Sequence, residues 1–236
     1  MNTLSNTLHS NYPKKRATLR AWMISNEYYM AARLMFLAEQ YHSGIRKDKV
    51  TPEFAHQVDI ASYLITLPIT KKEAMILTCL AFIHDLVEDY NVADEIILTA
   101  MAPETTEEKA DAKRIINGAH LLSKKEHVPG GESIDKNKEQ YFNDMLEDPL
   151  VVLAKCVDGL SNLVDMVGVF NEEKMHYYCE YLSSQHLRIA KIARNKYPQY
   201  YMAFQNIKYC INRQLDTVTN ILNLLKVVKQ QNTPAV

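Results

Sequence analysis

An apolar stretch from Ala74 to Leu86 is the feature that most constrains the fold of this chain. It follows Thr70-Lys71-Lys72-Glu73, a capping-box pattern in which the Thr and Glu side chains bind the free N–H groups at a helix start. Apolar residues on nearly all sides of a helix are typical of a helix that is buried. We therefore predict that the residues after Thr70 form the central helix of the protein.

The rest of the chain also favours helices. It has only six glycines in 236 residues, and the alternating apolar and polar pattern of strands is hard to find in it. The sequence therefore predicts an all-α fold. The predicted helices cover residues 19–41 with a break near 25–26, 52–67, 70–86, 105–122, 137–147, 149–168, 171–194 and 198–229.

Three segments are predicted to lie outside these helices. Residues 127–135, which include Pro129-Gly130-Gly131, predict a long loop that is a candidate flap. Lys14-Lys15-Arg16 are expected to form a solvated leader, and residues 230–236 a frayed tail.

The length and composition indicate one ordinary folded domain over residues 1–236. The chain is 47% apolar and 23% charged, and its formal net charge of -1 gives no general attraction for nucleic acid or anionic lipid. The longest apolar run is about half of a membrane span, and the start of the chain lacks a signal-peptide pattern. The four cysteines contain no Cys-x-x-Cys pair, so we expect reduced packing residues. These properties predict a cytoplasmic protein that binds neither nucleic acid nor a membrane.

The chemistry begins at the end of the central helix, in FIHDLVEDY. His84 and Glu88 are four residues apart, as are Asp85 and Asp89, so all four side chains lie within one and a half helical turns. Three carboxylates face the negative end of the helix dipole, where each destabilises the helix by roughly 0.3 to 1 kcal/mol. A divalent metal ion would offset that charge, because imidazole and carboxylate groups together bind manganese, iron or zinc. A solvated acidic helix end is the alternative, and this segment alone does not decide between them.

Two other segments contain further candidate ligands. His56, in TPEFAHQVDIA, has apolar neighbours and is expected to face inward, although a core histidine would do the same. Asp158 follows a run of mostly apolar residues, and the helical spacing places Asn162 and Asp165 on its face. An aspartate in that position is costly to bury without a partner, although a surface aspartate next to Gly159 is the alternative.

Other polar and aromatic candidates are expected to have structural roles. His42 is predicted to pack at the end of its helix. Four tyrosines could border a pocket for a nucleotide base, but helix packing is favoured because the chain has 14 tyrosines. These are Tyr177, Tyr178, Tyr200 and Tyr201.

Four segments in order carry a family resemblance. AEQYHSGIRKD is similar to a pattern of Ala, His-x-Gly and Arg-Lys-Asp, and TPEFAHQVDIA to Thr-Pro followed by His. FIHDLVEDY is similar to Leu-His-Asp, two residues and Glu-Asp, and AKCVDGLSNLVDM to Lys-x-x-Asp, three residues and Asn-Leu. Together they resemble the HD hydrolase domain of the RelA/SpoT alarmone hydrolases, including the stand-alone small hydrolases. The resemblance covers about residues 30–170.

The resemblance implies a fold and a metal centre. The fold would be a single HD-domain helical bundle whose core covers residues 30–170, with the C-terminal helices, residues 171–229, packed on it. One metal ion per chain, typically manganese in this family, would be bound by the residues that match the family's ligands. These are His56, His84, Asp85 and Asp158.

The resemblance also implies an activity, the hydrolysis of the alarmones ppGpp and pppGpp, guanosine 3′-diphosphate 5′-di- or triphosphate, to GDP or GTP and pyrophosphate. Glu88 and Asp89 would act on the attacking water. Arg46 and Lys47 would lie over the nucleotide, and Asn162 would contact the substrate. The family's synthetase domain has no room in a chain of this length, so we expect hydrolytic activity only.

The chain departs from the family pattern at three positions. Gln57 follows His56 where the family has Pro, Glu53 stands where an aromatic residue is usual, and Gly159 replaces a longer side chain after Asp158. None of the three is an implied ligand. The departures therefore concern base recognition and pocket shape more than metal binding.

Two alternative functions stay open at this point. The same metal centre could act on another nucleotide, for example by removing the 2′-phosphate of NADPH. The chain could also be a catalytically silent helical module that binds a nucleotide or a protein.

Overall fold

The structure, a computed structural model that describes residues 11–127, 133–167 and 169–231, consists of α-helices and one short β-hairpin. The predicted all-α fold is confirmed. In chain order, the first helices are α1 (Tyr12–Ser25), α2 (Tyr29–Tyr41), α3 (Ala55–Leu64), α4 (Lys71–Glu88), α5 (Asp94–Met101) and α6 (Thr106–Leu122). They are followed by β1 (Lys125–His127), β2 (Ser133–Asp135), α7 (Lys138–Met145), α8 (Pro149–Asp165), α9 (Glu172–Tyr181), α10 (Leu187–Lys196) and α11 (Tyr201–Gln231).

Helix α4 is the centre of the bundle, as predicted. Thr70 and Glu73 form the capping box at its start, and most of its side chains are buried, with Leu77 and Phe82 fully inaccessible. Helices α2, α3, α6 and α8 pack around it. A helix that is apolar on all sides can be buried in this way because each face meets a neighbouring helix.

Helix α8 is the second buried helix. It begins at Pro149, and the Asp148 side chain accepts a hydrogen bond from the backbone N–H of Leu150. A proline in the first helical position costs nothing because its missing N–H would have no partner there. One face of α8 packs against α3 and α4, and the long helix α11 packs against it through residues such as Phe204 and Ile207. The C-terminal helices therefore cover the helix that carries Asp158.

Several boundaries differ from the prediction. Helix α3 begins at Ala55 rather than near residue 52, because Pro52 pairs with Ile45 in an isolated bridge that closes the preceding loop. Helix α5 and the hairpin were not predicted, since both are short and neither has a strong capping or alternation pattern. The predicted helix over residues 171–194 contains a π-helical turn, Leu182–His186, between α9 and α10.

The prediction of a solvated leader at Lys14-Lys15-Arg16 was wrong, because these residues belong to α1. Leu19 and Met23 bury one face of α1, which holds its basic first turns against the bundle. Lys15 forms an ion pair with Asp59, and Arg16 forms one with Glu39.

Other predictions fall partly or wholly outside the described residues. The candidate flap at residues 127–135 is described only at the hairpin strands, and Pro129-Gly130-Gly131 lie outside the described residues, as do residues 232–236 of the predicted tail. All four cysteines are free thiols, as predicted. Among the described helices, none is both long and apolar enough to cross a membrane.

Candidate metal centre

A cleft of about 640 Å³ opens where α3, α4 and α8 meet the loop that follows α2. The structure brings all nine predicted site residues to the walls of this cleft, although they come from four separate segments of the chain. They are Arg46, Lys47, His56, His84, Asp85, Glu88, Asp89, Asp158 and Asn162.

Three of the four implied metal ligands form a compact group at the inner end of the cleft. His56, His84 and Asp158 each offer one ligand atom, and these atoms lie within 4.8 Å of one another. The centroids of the two imidazole rings are 6.3 Å apart, and both histidines are buried. The three side chains belong to α3, α4 and α8, so the packing of these helices determines the spacing of the group.

A hydrogen bond to the backbone determines which ring nitrogen of His84 faces the group. Its Nδ1 atom lies 3.0 Å from the carbonyl oxygen of Ala81, and a carbonyl can only accept, so Nδ1 carries the hydrogen. In the neutral ring, Nε2 then presents a lone pair. Nε2 is buried without a hydrogen-bond donor among the described residues, and it faces the Oδ1 atom of Asp85 at 3.1 Å.

His56 and Asp158 form a second part of the group. The Nδ1 atom of His56 lies 3.0 Å from the hydroxyl of Ser161, and its Nε2 atom lies 3.2 Å from the Oδ1 atom of Asp158. Asn162 donates to the same Oδ1 atom at 2.7 Å, and Lys155 donates to Oδ2 at 3.0 Å. Burial acts to raise the pKa of the Asp158 carboxyl, but the Lys155 ammonium and His56 hold that pKa well below its usual range. Asp158 is therefore ionised and able to bind a cation.

Asp85, the fourth implied ligand, lies beside the group of three. Its Oδ1 atom faces His84, while its Oδ2 atom accepts a hydrogen bond of 2.7 Å from the amide of Gln57 and lies 3.9 Å from the Nε2 atom of His42. Burial acts to raise the pKa of Asp85, but the nearby histidines, His84 first, lower it overall. Asp85 therefore adds a second negative charge beside the Nε2 atom of His84.

These residues fit a divalent cation. Two ionised carboxylates attract a cation, and the Lys155 ammonium offsets the charge of Asp158 but has no contact with Asp85 among the described hydrogen bonds. The other nitrogen of each ring is held as metal-binding histidines usually are, with His84 donating to a backbone carbonyl and His56 in contact with the Ser161 hydroxyl. Two imidazoles and two carboxylates are a donor set that suits manganese, iron or zinc.

Glu88 and Asp89 lie at the mouth of this group. The Glu88 carboxylate accepts hydrogen bonds from the backbone N–H and the ammonium group of Lys124, at 3.2 and 3.3 Å. Burial and the charges of Asp85 and Glu88 raise the pKa of Asp89. Part of the positive charge that the acidic helix end requires therefore comes from Lys124, immediately before the hairpin.

The outer wall of the cleft carries the predicted nucleotide-binding cations. Arg46 forms an ion pair of 3.0 Å with Asp165, and the Lys47 ammonium lies 5.9 Å from the centre of the Phe170 ring. Ile45, Met166 and Val169 add apolar surface to the same wall. This end of the cleft therefore combines cations with an apolar wall that includes an aromatic ring.

The structure explains one departure from the family pattern. A Cβ atom at Gly159 would lie 2.7 Å from the His186 ring, which is buried against Phe142 and Tyr181. Only glycine therefore lets α8 approach His186 this closely. His186 belongs to the π-helical turn, and burial lowers its pKa to about 3, so the ring is neutral.

His42 and the four tyrosines have structural contacts. His42 is buried at the end of α2, as predicted, and it also lines the cleft. Tyr200 donates to Glu73, Tyr178 contacts Tyr181 and Phe170, Tyr177 stacks on Tyr181, and the Arg194 guanidinium lies over the Tyr201 ring.

Four side chains contact the predicted site residues but were not themselves predicted to have a role in the site. Lys155 and Ser161 are each three residues from Asp158 and share its helical face, so the spacing could have identified them. Gln57 and Lys124 reach Asp85 and Glu88 from other elements. No local pattern predicts such contacts.

No model of a known protein family matches the chain, and no curated protein matches it significantly. The resemblance to the alarmone hydrolases therefore stays a prediction, and the function is proposed from the site.

Proposed function

We propose that the protein is a metal-dependent nucleotide phosphohydrolase that removes the 3′-diphosphate of ppGpp or pppGpp as pyrophosphate and leaves GDP or GTP. One observation carries the proposal. The Nε2 atom of His84, the ring of His56 and the carboxylates of Asp158 and Asp85 converge at the inner end of a cleft large enough for a nucleotide.

In this proposal His56, His84, Asp85 and Asp158 hold one divalent ion, and the family resemblance suggests manganese. Such an ion lowers the pKa of a bound water and polarises a phosphoryl group. Lys155 and Asn162 keep Asp158 ionised and oriented. Ser161 and the carbonyl of Ala81 fix the two imidazole rings.

Glu88 and Asp89 act on the attacking water. The water oxygen bonds to the phosphorus next to the 3′ oxygen, its proton passes to a carboxylate, and the bond from that phosphorus to O3′ breaks as pyrophosphate leaves. The 3′ oxygen then takes up a proton. A phosphate of the substrate also competes with Glu88 for the Lys124 ammonium. When Lys124 binds the phosphate instead, the Glu88 carboxylate is free for proton transfer.

Arg46 and Lys47 bind the phosphates or the base at the outer wall. When the substrate binds, Arg46 leaves its ion pair with Asp165 and binds a phosphate instead. Its planar guanidinium can donate two parallel hydrogen bonds to that phosphate. Asn162 donates to Asp158 and lines the cleft, so its amide is close to the substrate. The free cysteines agree with a reducing compartment, and we propose the cytoplasm.

The charge of the cleft favours a second candidate. Its lining residues include eight Asp or Glu side chains and only four Lys or Arg side chains. This excess of negative charge favours a substrate with a single phosphate at the reacting position over one with a diphosphate. Removal of the 2′-phosphate of NADPH is a reaction of that kind.

The test compares the two substrates directly. Protein stripped with a chelator is restored with Mn²⁺, incubated with ppGpp or NADPH, and assayed for pyrophosphate and orthophosphate, with the Asp158→Asn variant as the control. Pyrophosphate from ppGpp supports the leading proposal, and orthophosphate from NADPH supports the second. No turnover of either substrate by the Mn²⁺-loaded protein contradicts both and leaves a binding module.

A further inference from the structure

Gln57 makes a contact that its position next to His56 did not suggest. Its side chain is buried, with 1% of its surface exposed. The amide Nε2 donates to the Oδ2 atom of Asp85 at 2.7 Å, which links α3 to the end of α4. The Asp85 oxygen can only accept, so the amide must be oriented with its nitrogen towards Asp85.

This orientation leaves the other end of the amide without a partner. The Oε1 atom of Gln57 is buried and accepts no hydrogen bond from the described residues. A buried acceptor without a donor lowers the stability of the folded protein. A methionine would fill similar space without that cost, so packing alone does not explain a glutamine here.

The contact has a definite consequence for Asp85. With Oδ2 held by Gln57, the carboxylate keeps its Oδ1 atom 3.1 Å from the Nε2 atom of His84. Asp158 is held in the same way, since Lys155 binds its Oδ2 atom while Oδ1 faces His56. The two carboxylates differ in the charge of the group that holds them. The Lys155 ammonium offsets the charge of Asp158, whereas the neutral amide of Gln57 leaves the full charge of Asp85 in place.

We propose that Gln57 is a positioning residue that orients Asp85 for binding a divalent cation. The inference rests on the proposed metal centre and goes beyond it, since Gln57 departs from the family pattern that suggested the ligands. Hydrogen-bonded partners of metal ligands typically change metal affinity 10- to 100-fold when they are removed.

The test uses Gln57→Met, which keeps the length of the side chain and removes the donor. Thr78→Val is the matched control, because Thr78 is also a buried polar residue, lies on α4 and donates its hydroxyl to the Ala74 carbonyl within its own helix. The dissociation constant of Mn²⁺ is measured from the electron paramagnetic resonance signal of the free ion. The free energy of unfolding is measured by urea denaturation of the chelator-treated proteins.

We expect Gln57→Met to weaken Mn²⁺ binding about 10- to 100-fold. The stability of the metal-free protein should change little, because removal of the unpaired Oε1 atom offsets loss of the hydrogen bond to Asp85. Thr78→Val should keep the wild-type affinity. A wild-type affinity in Gln57→Met overturns the inference. So does weaker binding accompanied by a matching loss of stability, because that result indicates a general structural role. No Mn²⁺ binding by the wild type overturns the metal centre itself, and the role of Gln57 falls with it.

Discussion

The two ends of the cleft are built in different ways. At the inner end, His56, His84 and Asp158 lie on three packed helices and are held by buried hydrogen bonds. At the outer end, Arg46 and Lys124 lie on connecting segments and are held by ion pairs with carboxylates. The inner end is therefore organised before any ligand binds, whereas the contacts of the outer end can be exchanged for those of a substrate.

The energies of the two kinds of contact agree with this difference. Lys124 is half exposed, and exposed ion pairs contribute roughly 0 to 1 kcal/mol, so a phosphate can replace Glu88 at little cost. Asp158 and Lys155 are largely buried, and removing one partner of such a pair costs roughly 3 to 5 kcal/mol. Substitutions at the two ends should therefore have different effects.

The largest effect is expected from Asp158→Asn at the inner end. The variant removes a charged ligand, so we expect Mn²⁺ binding to be lost. Activity should fall roughly a thousandfold or more, which corresponds to an increase of about 4 kcal/mol in the activation free energy. Metal content after dialysis and the rate of product release measure the two effects. Full metal content in the variant would remove Asp158 from the ligand set.

Glu88→Gln should separate chemistry from metal binding. The change keeps the shape of the side chain and removes its ability to accept a proton, so we expect activity to fall roughly 100- to 10,000-fold while Mn²⁺ affinity stays near the wild-type value. Equal losses of metal in Glu88→Gln and Asp158→Asn would contradict the separate roles assigned to the two residues.

Gly159→Ala tests the rigidity of the wall behind the inner end. The added Cβ would lie 2.7 Å from the buried His186 ring, so we expect the free energy of unfolding to fall by about 1 to 3 kcal/mol. Urea denaturation measures this loss. The double variant Gly159→Ala/His186→Ala should be more stable than the sum of the single changes predicts. Additive losses would show that the two residues do not meet.

Arg46→Ala at the outer end should have the smallest effect. We expect KM to rise about tenfold, equivalent to a loss of about 1.4 kcal/mol of substrate-binding free energy. The kcat and the metal affinity should change little. Steady-state kinetics measure the change, and Arg20→Ala, on the exposed face of α1, is the control. A loss of metal affinity in Arg46→Ala would mean that the two ends are not independent.

The sequence predicted the inner end better than the outer end. Local patterns were sufficient for α4, because the capping box at Thr70 and the apolar stretch after it require no knowledge of distant residues. They also identified Asp158 as an aspartate that needs a partner. Helical spacing placed Asn162 and Asp165 on the correct face, where both line the cleft.

The contacts that the sequence did not predict join separate elements. The bond from Gln57 to Asp85 crosses from α3 to α4, and the pair of Lys124 with Glu88 depends on where α6 ends. The ion pair of Lys15 with Asp59 likewise joins the expected leader to α3. Such contacts depend on how helices pack, and spacing within one helix contains no information on them.

The most direct test of the central claim is X-ray diffraction from crystals grown with Mn²⁺, with data collected at the manganese absorption edge. The account predicts one anomalous peak per chain, in contact with His56, His84 and Asp158, and no peak at that place in Asp158→Asn crystals. A peak elsewhere, or none in the wild type at a saturating Mn²⁺ concentration, would contradict it.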